Sequence, residues 1–270
     1  MSNEFNYSRE LLAEVAPVVQ AISDVILPEQ MMLVGAQCRN LLHSRLVGGA
    51  PLRRTNDTDV AIAISDWHQF DQLCDRFDPE GKSGHRFRIN GILTDVIPFG
   101  DVEVPQGTSS HPPGDVTMNV RGFQDAFVRA DQLTVADGLS IKIPQVEGYA
   151  TLKTHAWLDR SADGEYRDGP DLALAVYWLY MDTDLLYHEA NIWALELHSH
   201  ELRHAAAALL GSSMRQGLSA DEQDALSTRI ATANVDRLAH NFGVGHPGWP
   251  TTDAARRPMV VAMFDQITAG

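Results

Sequence analysis

Apolar residues recur at helical spacing across residues 8–26, with Leu11, Leu12, Val15, Val18, Val19, Ile22, Val25 and Ile26 on one stripe. The run Met31–Val34 is short and wholly apolar, which predicts a buried strand. It leads through Gly35-Ala36 into a helix from about Gln37 to Leu46, broken by Gly48-Gly49-Ala50-Pro51. Asp57–Ile64 alternates polar and apolar positions and then turns apolar, as a strand does when it enters a core. Ser65 reads as the N-cap of a helix over Asp66–Phe77. Two strand-like runs, His85–Ile89 and Ile92–Phe99, flank Asn90-Gly91, the dipeptide of a two-residue hairpin turn.

A Gly-, Pro- and Ser-rich loop over Val104–Gly114 is followed by short strands and a short helix as far as Ile143. From Gln145 the periodicity becomes helical throughout, in Val146–Arg160, Asp171–Met181, Ala190–Leu210, Ala220–Leu238 and Ala254–Ile267. The pattern is that of an α+β protein, with a mixed core over residues 1–143 and a helical domain over residues 144–270. The sequence has no repeat of fixed period and no low-complexity tract.

Composition changes this picture little. The 270 residues are 44% hydrophobic and 21% charged, enough apolar material for a real core. No apolar stretch has the length of a membrane span, and the first residues lack the layout of a signal peptide. With Cys38 and Cys74 as the only cysteines, a disulfide framework is not expected, and the expected compartment is the cytoplasm. Charge is more informative. The net charge of −15 opposes sequence-blind binding to nucleic acid, which relies on clustered Lys and Arg to displace counterions. A local basic pocket for a triphosphate or an RNA end is still compatible with it.

The chemistry concentrates in Thr55-Asn56-Asp57-Thr58-Asp59. On a strand, residues i and i+2 share a face, so Asp57 and Asp59 project together. Two carboxylates held close repel one another unless a cation sits between them, and an all-oxygen set suits Mg²⁺. Asp95 interrupts the apolar strand Ile92–Phe99 and, on a neighbouring strand, would complete a metal set of Asp57, Asp59 and Asp95. The plainer readings are a solvated turn for the Asp-x-Asp and an edge-strand charge for Asp95. Upstream, Leu33-Val34-Gly35-Ala36-Gln37-Cys38-Arg39 reads as strand, tight turn and helix N-terminus. Gly35 and Ala36 would let an anion approach backbone N–H groups, with Arg39 adding a charged contact to phosphate.

These residues resemble the AbiEii/AbiGii-like predicted nucleotidyltransferases of the DNA polymerase beta-like nucleotidyltransferase superfamily, over roughly residues 30–180. The likeness rests on an apolar strand ending in Gly35-Ala36, on Thr55-Asn56-Asp57-Thr58-Asp59, on the Lys153–Arg160 helix, and on Arg167-Asp168-Gly169-Pro170-Asp171-Leu172. Three positions depart from the usual pattern: Ala36 for Gly or Ser, Thr58 for Ile or Val, and Arg167 for Lys. The resemblance implies a nucleotidyltransferase-like mixed sheet with flanking helices. The implied reaction moves a nucleoside monophosphate from an NTP to an acceptor hydroxyl with Mg²⁺. The acceptor would be an RNA 3′ end such as that of tRNA, a protein or a small molecule. Several relatives are toxins of toxin–antitoxin pairs, so an antitoxin partner is a further expectation. Lys153 would meet the triphosphate, Thr55 and Arg160 would line the nucleotide site, and Asp171 would act in catalysis or orient Lys153. Independently of the family, Asp168 suits a helix N-cap and Asp171 the first turn after it.

One competing motif remains. His200-Glu201-Leu202-Arg203-His204 matches H-E-x-x-H, which on a helix would set both histidines on one face to hold Zn²⁺, with Glu201 as base. No third ligand is singled out, and with 11 histidines in the chain a chance match is not rare. A non-catalytic nucleotide- or partner-binding module on the same fold is the alternative from another functional class.

Overall fold

A computed structural model of the chain describes residues 7–48, 55–81, 83–111 and 116–269. The Gly49-Ala50-Pro51 helix break, the Arg53-Arg54 pair before the carboxylate strand and residues 112–114 of the Gly/Pro/Ser loop lie outside the described residues. The protein is α+β, and the chain divides into two compact units, Met1–Gln145 and Val146–Gly270.

The first unit runs α1 (Arg9–Ile22), β1 (Met31–Val34), α2 (Gly35–Leu46), β2 (Asp57–Ile64), α3 (Trp67–Arg76), β3 (Arg86–Ile89) and β4 (Ile92–Gly100). It continues with β5 (Thr108–Ser109), β6 (Met118–Asn119), α4 (Phe123–Arg129), β7 (Asp131–Ala136) and β8 (Leu139–Ile143). Six strands form one mixed sheet in the order β3-β4-β2-β1-β8-β7, while β5 and β6 pair separately. β2 is parallel to β4 and antiparallel to β1, and β3 and β4 form the hairpin expected at Asn90-Gly91. Both turn residues have positive φ, 50° and 82°, as a two-residue hairpin turn of this hand requires.

Burial follows the pattern of the sequence. Leu11, Val15, Val18, Val19 and Ile22 of α1 are buried, and Ser8 caps that helix by accepting from the Leu11 N–H. Every residue of β1 is buried. Several boundaries differ from the sequence expectation. α2 begins at Gly35, two residues early. α3 is capped by Asp66, whose carboxylate accepts from the His68 N–H at 2.9 Å; Ser65 does not cap it. α1 ends at Ile22, before the apolar stripe does.

The second unit is helical: α5 (Val146–Arg160), α6 (Gly169–Met181), α7 (Thr183–Leu186), α8 (Ile192–Leu197), α9 (Leu202–Gly217), α10 (Ala220–Ile230), α11 (Val235–Asn241) and α12 (Asp253–Thr268). α6 is apolar nearly all round and buried from Asp171 to Leu179. Two expected helices are broken in the structure. Ala190–Leu210 splits at Ser199 and His200, which have φ of 52° and 63°, and Ala220–Leu238 splits between Ile230 and Val235. Helical periodicity survives such breaks because the apolar stripe resumes after each turn. α9 and α12 approach so closely at Gly211 that a Cβ there would stand 2.1 Å from the Met263 carbonyl oxygen. No helix among the described residues is long and apolar enough to cross a membrane.

Candidate functional site

The sheet register assembles the site. Asp59 lies opposite Asp95 on β4, Asp95 opposite Arg86 on β3, and Asp59 opposite Val34 on β1. Directly paired residues on neighbouring strands share a face, so Arg86, Asp95, Asp59 and Val34 form one row across four strands. Asp57, two residues before Asp59, stands on the same face one step nearer the strand start. Thr58, Thr94 and Phe87 point to the other face and are buried. Farther along β4, Phe99 packs against Phe123 and Phe127 of α4. The three aspartates sit toward the other end of their strands and are only half-buried.

Each carboxylate has a defined neighbour. Asp57 Oδ1 accepts a short hydrogen bond from the Thr55 hydroxyl, one of the expected nucleotide-site residues. Asp59 lies over Gly35: a Cβ added there would be 1.9 Å from Asp59 Oδ2, and Gly35 itself has a φ of +66°. Glycine is required at this turn on two counts, a left-handed backbone and room for a carboxylate. The same placement puts Asp59 at the N-terminus of α2, where the helix dipole favours negative charge and where no side chain caps Val34. The Gly35 turn, where a ligand anion was expected to approach, thus has a carboxylate of the protein itself against it.

Asp95 faces Arg86. Arg86 Nε donates to Asp95 Oδ1 at 2.7 Å and Nη2 to Oδ2 at 2.6 Å, a two-pronged contact in which both carboxylate oxygens accept. The Asp95 hydrogen bonds and charge, with smaller contributions from Asp57 and Asp59, hold the guanidinium well above its usual pKa. Arg86 is thus electrostatically part of the carboxylate row. Sequence reasoning missed it, although a signal existed: a two-residue turn at 90–91 pairs Ile89 with Ile92 and, counting outward, Arg86 with Asp95.

Arg39 is buried in α2, with Nε and Nη2 donating to Asn40 Oδ1 at 3.2 and 3.0 Å. Its guanidinium lies in the interior of the unit; the sequence reading expected it to contact phosphate.

Lys153, Arg160 and Asp171 belong to the second unit. Lys153 Nζ lies 2.7 Å from Asp171 Oδ2 and 3.2 Å from Asp168 Oδ1, and Arg160 Nη1 lies 2.7 Å from Asp168 Oδ2. Asp168 holds the N-cap position of α6 without capping it, since its carboxylate is taken by the two cations. Asp171 stands in the first turn of α6, as expected. Arg167 is exposed and lies near Glu165.

The H-E-x-x-H reading fails on backbone grounds. α9 starts at Leu202, Glu201 is its N-cap and accepts from the Arg203 N–H, and His200 precedes the helix with a positive φ. His200 and His204 therefore do not share a helical face. His204 instead meets His198, ring centroids 6.1 Å apart.

Asp57, Asp59 and Asp95 offer an all-oxygen donor set on one face of a rigid sheet, which suits a hard divalent cation. One of these donors, Asp59, lies against the Gly35 turn, where no Cβ would fit. Their side chains are turned to Thr55, Gly35 and Arg86, however. Among the described residues no three His, Cys, Asp or Glu side chains are gathered closely enough to hold a metal ion. A cation taken by this row would need these side chains to turn from their present neighbours. Compared with models of known protein families, the sequence matches none. Compared with curated proteins, it gives no match.

Proposed function

We propose that this chain is a Mg²⁺-dependent nucleotidyltransferase that moves a nucleoside monophosphate from an NTP to an acceptor hydroxyl. The observation that carries the reading is the register: Asp59 and Asp95 are paired across parallel strands, Asp57 shares their face, and the strand–Gly35–helix turn abuts Asp59. Carboxylates sharing one sheet face could supply the oxygen ligands that two-metal phosphoryl transfer needs once their side chains turn to a common centre. When bound, Mg²⁺ would supply charge neutralisation for the triphosphate and lower the pKa of the attacking hydroxyl.

The roles of the chain's own residues follow from their places. Asp57 and Asp59 stand two residues apart on one face of a strand anchored in the core, and the Thr55 hydroxyl donates to Asp57. Asp95 supplies the third carboxylate from β4. Positioning and electrostatics account for most of the rate gain in this class of reaction, so a rigid row matters more than a proton acceptor.

The test is transfer of label from α-labelled NTPs, with Mg²⁺, to total RNA, to protein and to small hydroxyl compounds. Wild type is compared with the Asp57→Ala/Asp59→Ala variant. Labelling that depends on both aspartates is expected, and equal labelling by the variant would rule the reading out. A second reading, a nucleotide- or partner-binding module without turnover, is favoured by one observation: each carboxylate is turned toward a protein neighbour. It predicts saturable NTP binding with no pyrophosphate release on any acceptor.

A further inference from the structure

Arg86 sits at one end of the carboxylate row with its fork closed on Asp95, and it is placed there by the hairpin register itself. The pair is not buried: the Arg86 side chain is 42% exposed and that of Asp95 27%. A contact of that exposure adds little to folding. Its geometry is nevertheless the most specific a carboxylate can make, two parallel N–H···O bonds. A strong, oriented contact with a small share in folding, in a row of acids, is what an internal counter-ion looks like.

We propose that Arg86 is the resident counter-ion of Asp95 and sets the divalent-cation affinity of the Asp57–Asp59–Asp95 row by competing for the Asp95 carboxylate. The inference rests on the nucleotidyltransferase reading and names a regulation of the same site. A cation that takes Asp95 as a ligand must draw at least one oxygen from the fork and approach a guanidinium of like charge. Arg86 thereby weakens metal binding in the free protein. The negative charge of an arriving triphosphate would offer the released guanidinium a new partner, which couples metal binding to nucleotide binding. Arg86 is a positioning residue in this scheme, acting through Asp95.

The test is Mn²⁺ binding to the full chain without nucleotide, followed by electron paramagnetic resonance, for wild type, Arg86→Gln and Asp59→Asn. Removing a unit charge within a few ångströms of a partly solvated site predicts about tenfold tighter Mn²⁺ binding in R86Q. Asp59→Asn is expected to bind more weakly than wild type. Equal or weaker binding by R86Q, with binding lost in D59N, overturns the counter-ion role and leaves the metal site standing. No Mn²⁺ binding by either wild type or R86Q overturns both readings. A second measurement does not depend on R86Q folding. In ¹⁵N-labelled wild type, the Arg86 Nε–H resonance, assigned by its loss in Arg86→Lys, is expected to shift on Mg²⁺ addition. An unmoved resonance at saturating Mg²⁺ overturns the proposal.

Discussion

In the second unit, Lys153 meets the buried Asp168 and Asp171, with the part-exposed Arg160 also on Asp168; in the first, Arg86 meets Asp95 at the half-open end of a sheet row. The chemistry is the same, ammonium or guanidinium against carboxylate, but the surroundings are not. The Asp168 and Asp171 side chains are 2% and 5% exposed, and Lys153 is 15% exposed. There the desolvation cost is already met by reciprocal pairing, and removing one partner leaves buried charge behind. Around Arg86 water screens the pair, so the contact can open at little cost. Burial, more than the identity of the ion pair, separates a structural cluster from a site that can exchange partners.

That contrast is open to attack by substitution. The largest effect is expected for Lys153→Met, which removes the cation between two buried aspartates and should cost about 3–5 kcal/mol in urea or thermal denaturation. Arg86→Gln, by comparison, should cost at most about 1 kcal/mol. Equal losses would break the distinction drawn here. Next comes Gly35→Ala: a left-handed backbone and a collision with the Asp59 carboxylate predict a loss of about 1–3 kcal/mol. In the same variant Mn²⁺ binding should weaken, because Asp59 is pushed from its place. Asp66→Ala removes the α3 cap and should cost about 1 kcal/mol without changing Mn²⁺ affinity.

The smallest effect concerns pH. Burial, together with the neighbouring His204, lowers the pKa of His198. Burial also lowers that of His204, with Glu201 opposing and Arg203 assisting. Both histidines are then protonated less readily in the folded chain than in the unfolded one, where the pKa is about 6.5. In the window below about 6.5 the unfolded state therefore binds more protons, and stability falls as pH drops from there toward the depressed values. Above that window the contribution is complete and level. Denaturation midpoints measured from pH 7.5 to 5 should fall on acidification, less steeply in a His198→Gln/His204→Gln variant. An identical slope in the two proteins would remove these histidines from the account.

Much of this arrangement was legible in the order of residues. The Asp-x-Asp alternation puts two carboxylates on one face of any strand. The Asn90-Gly91 turn sets the hairpin register that pairs Arg86 with Asp95, although that count along the hairpin was not made in the sequence reading. The helix breaks at Ser199-His200 and after Ile230 were hidden, because an apolar stripe continues across a turn and the residues at the break carry no Gly or Pro. The burial of Arg39 was hidden too, since a guanidinium one turn into a helix can face either way until its neighbours are placed.

By itself the sequence determined the strands, the shared face of Asp57 and Asp59, the tight strand-to-helix turn at Gly35, and the change to helices after the sheet. Periodicity and turn chemistry act over a few residues and can be read without a fold. Tertiary structure alone decided that β2 lies parallel to β4, which brings Asp95 beside Asp59, and that Asp59 is the group over Gly35. It also decided which ion pairs are buried and which can open. Strand order and solvent exposure are set by packing between segments far apart in the chain, and that information no local pattern holds.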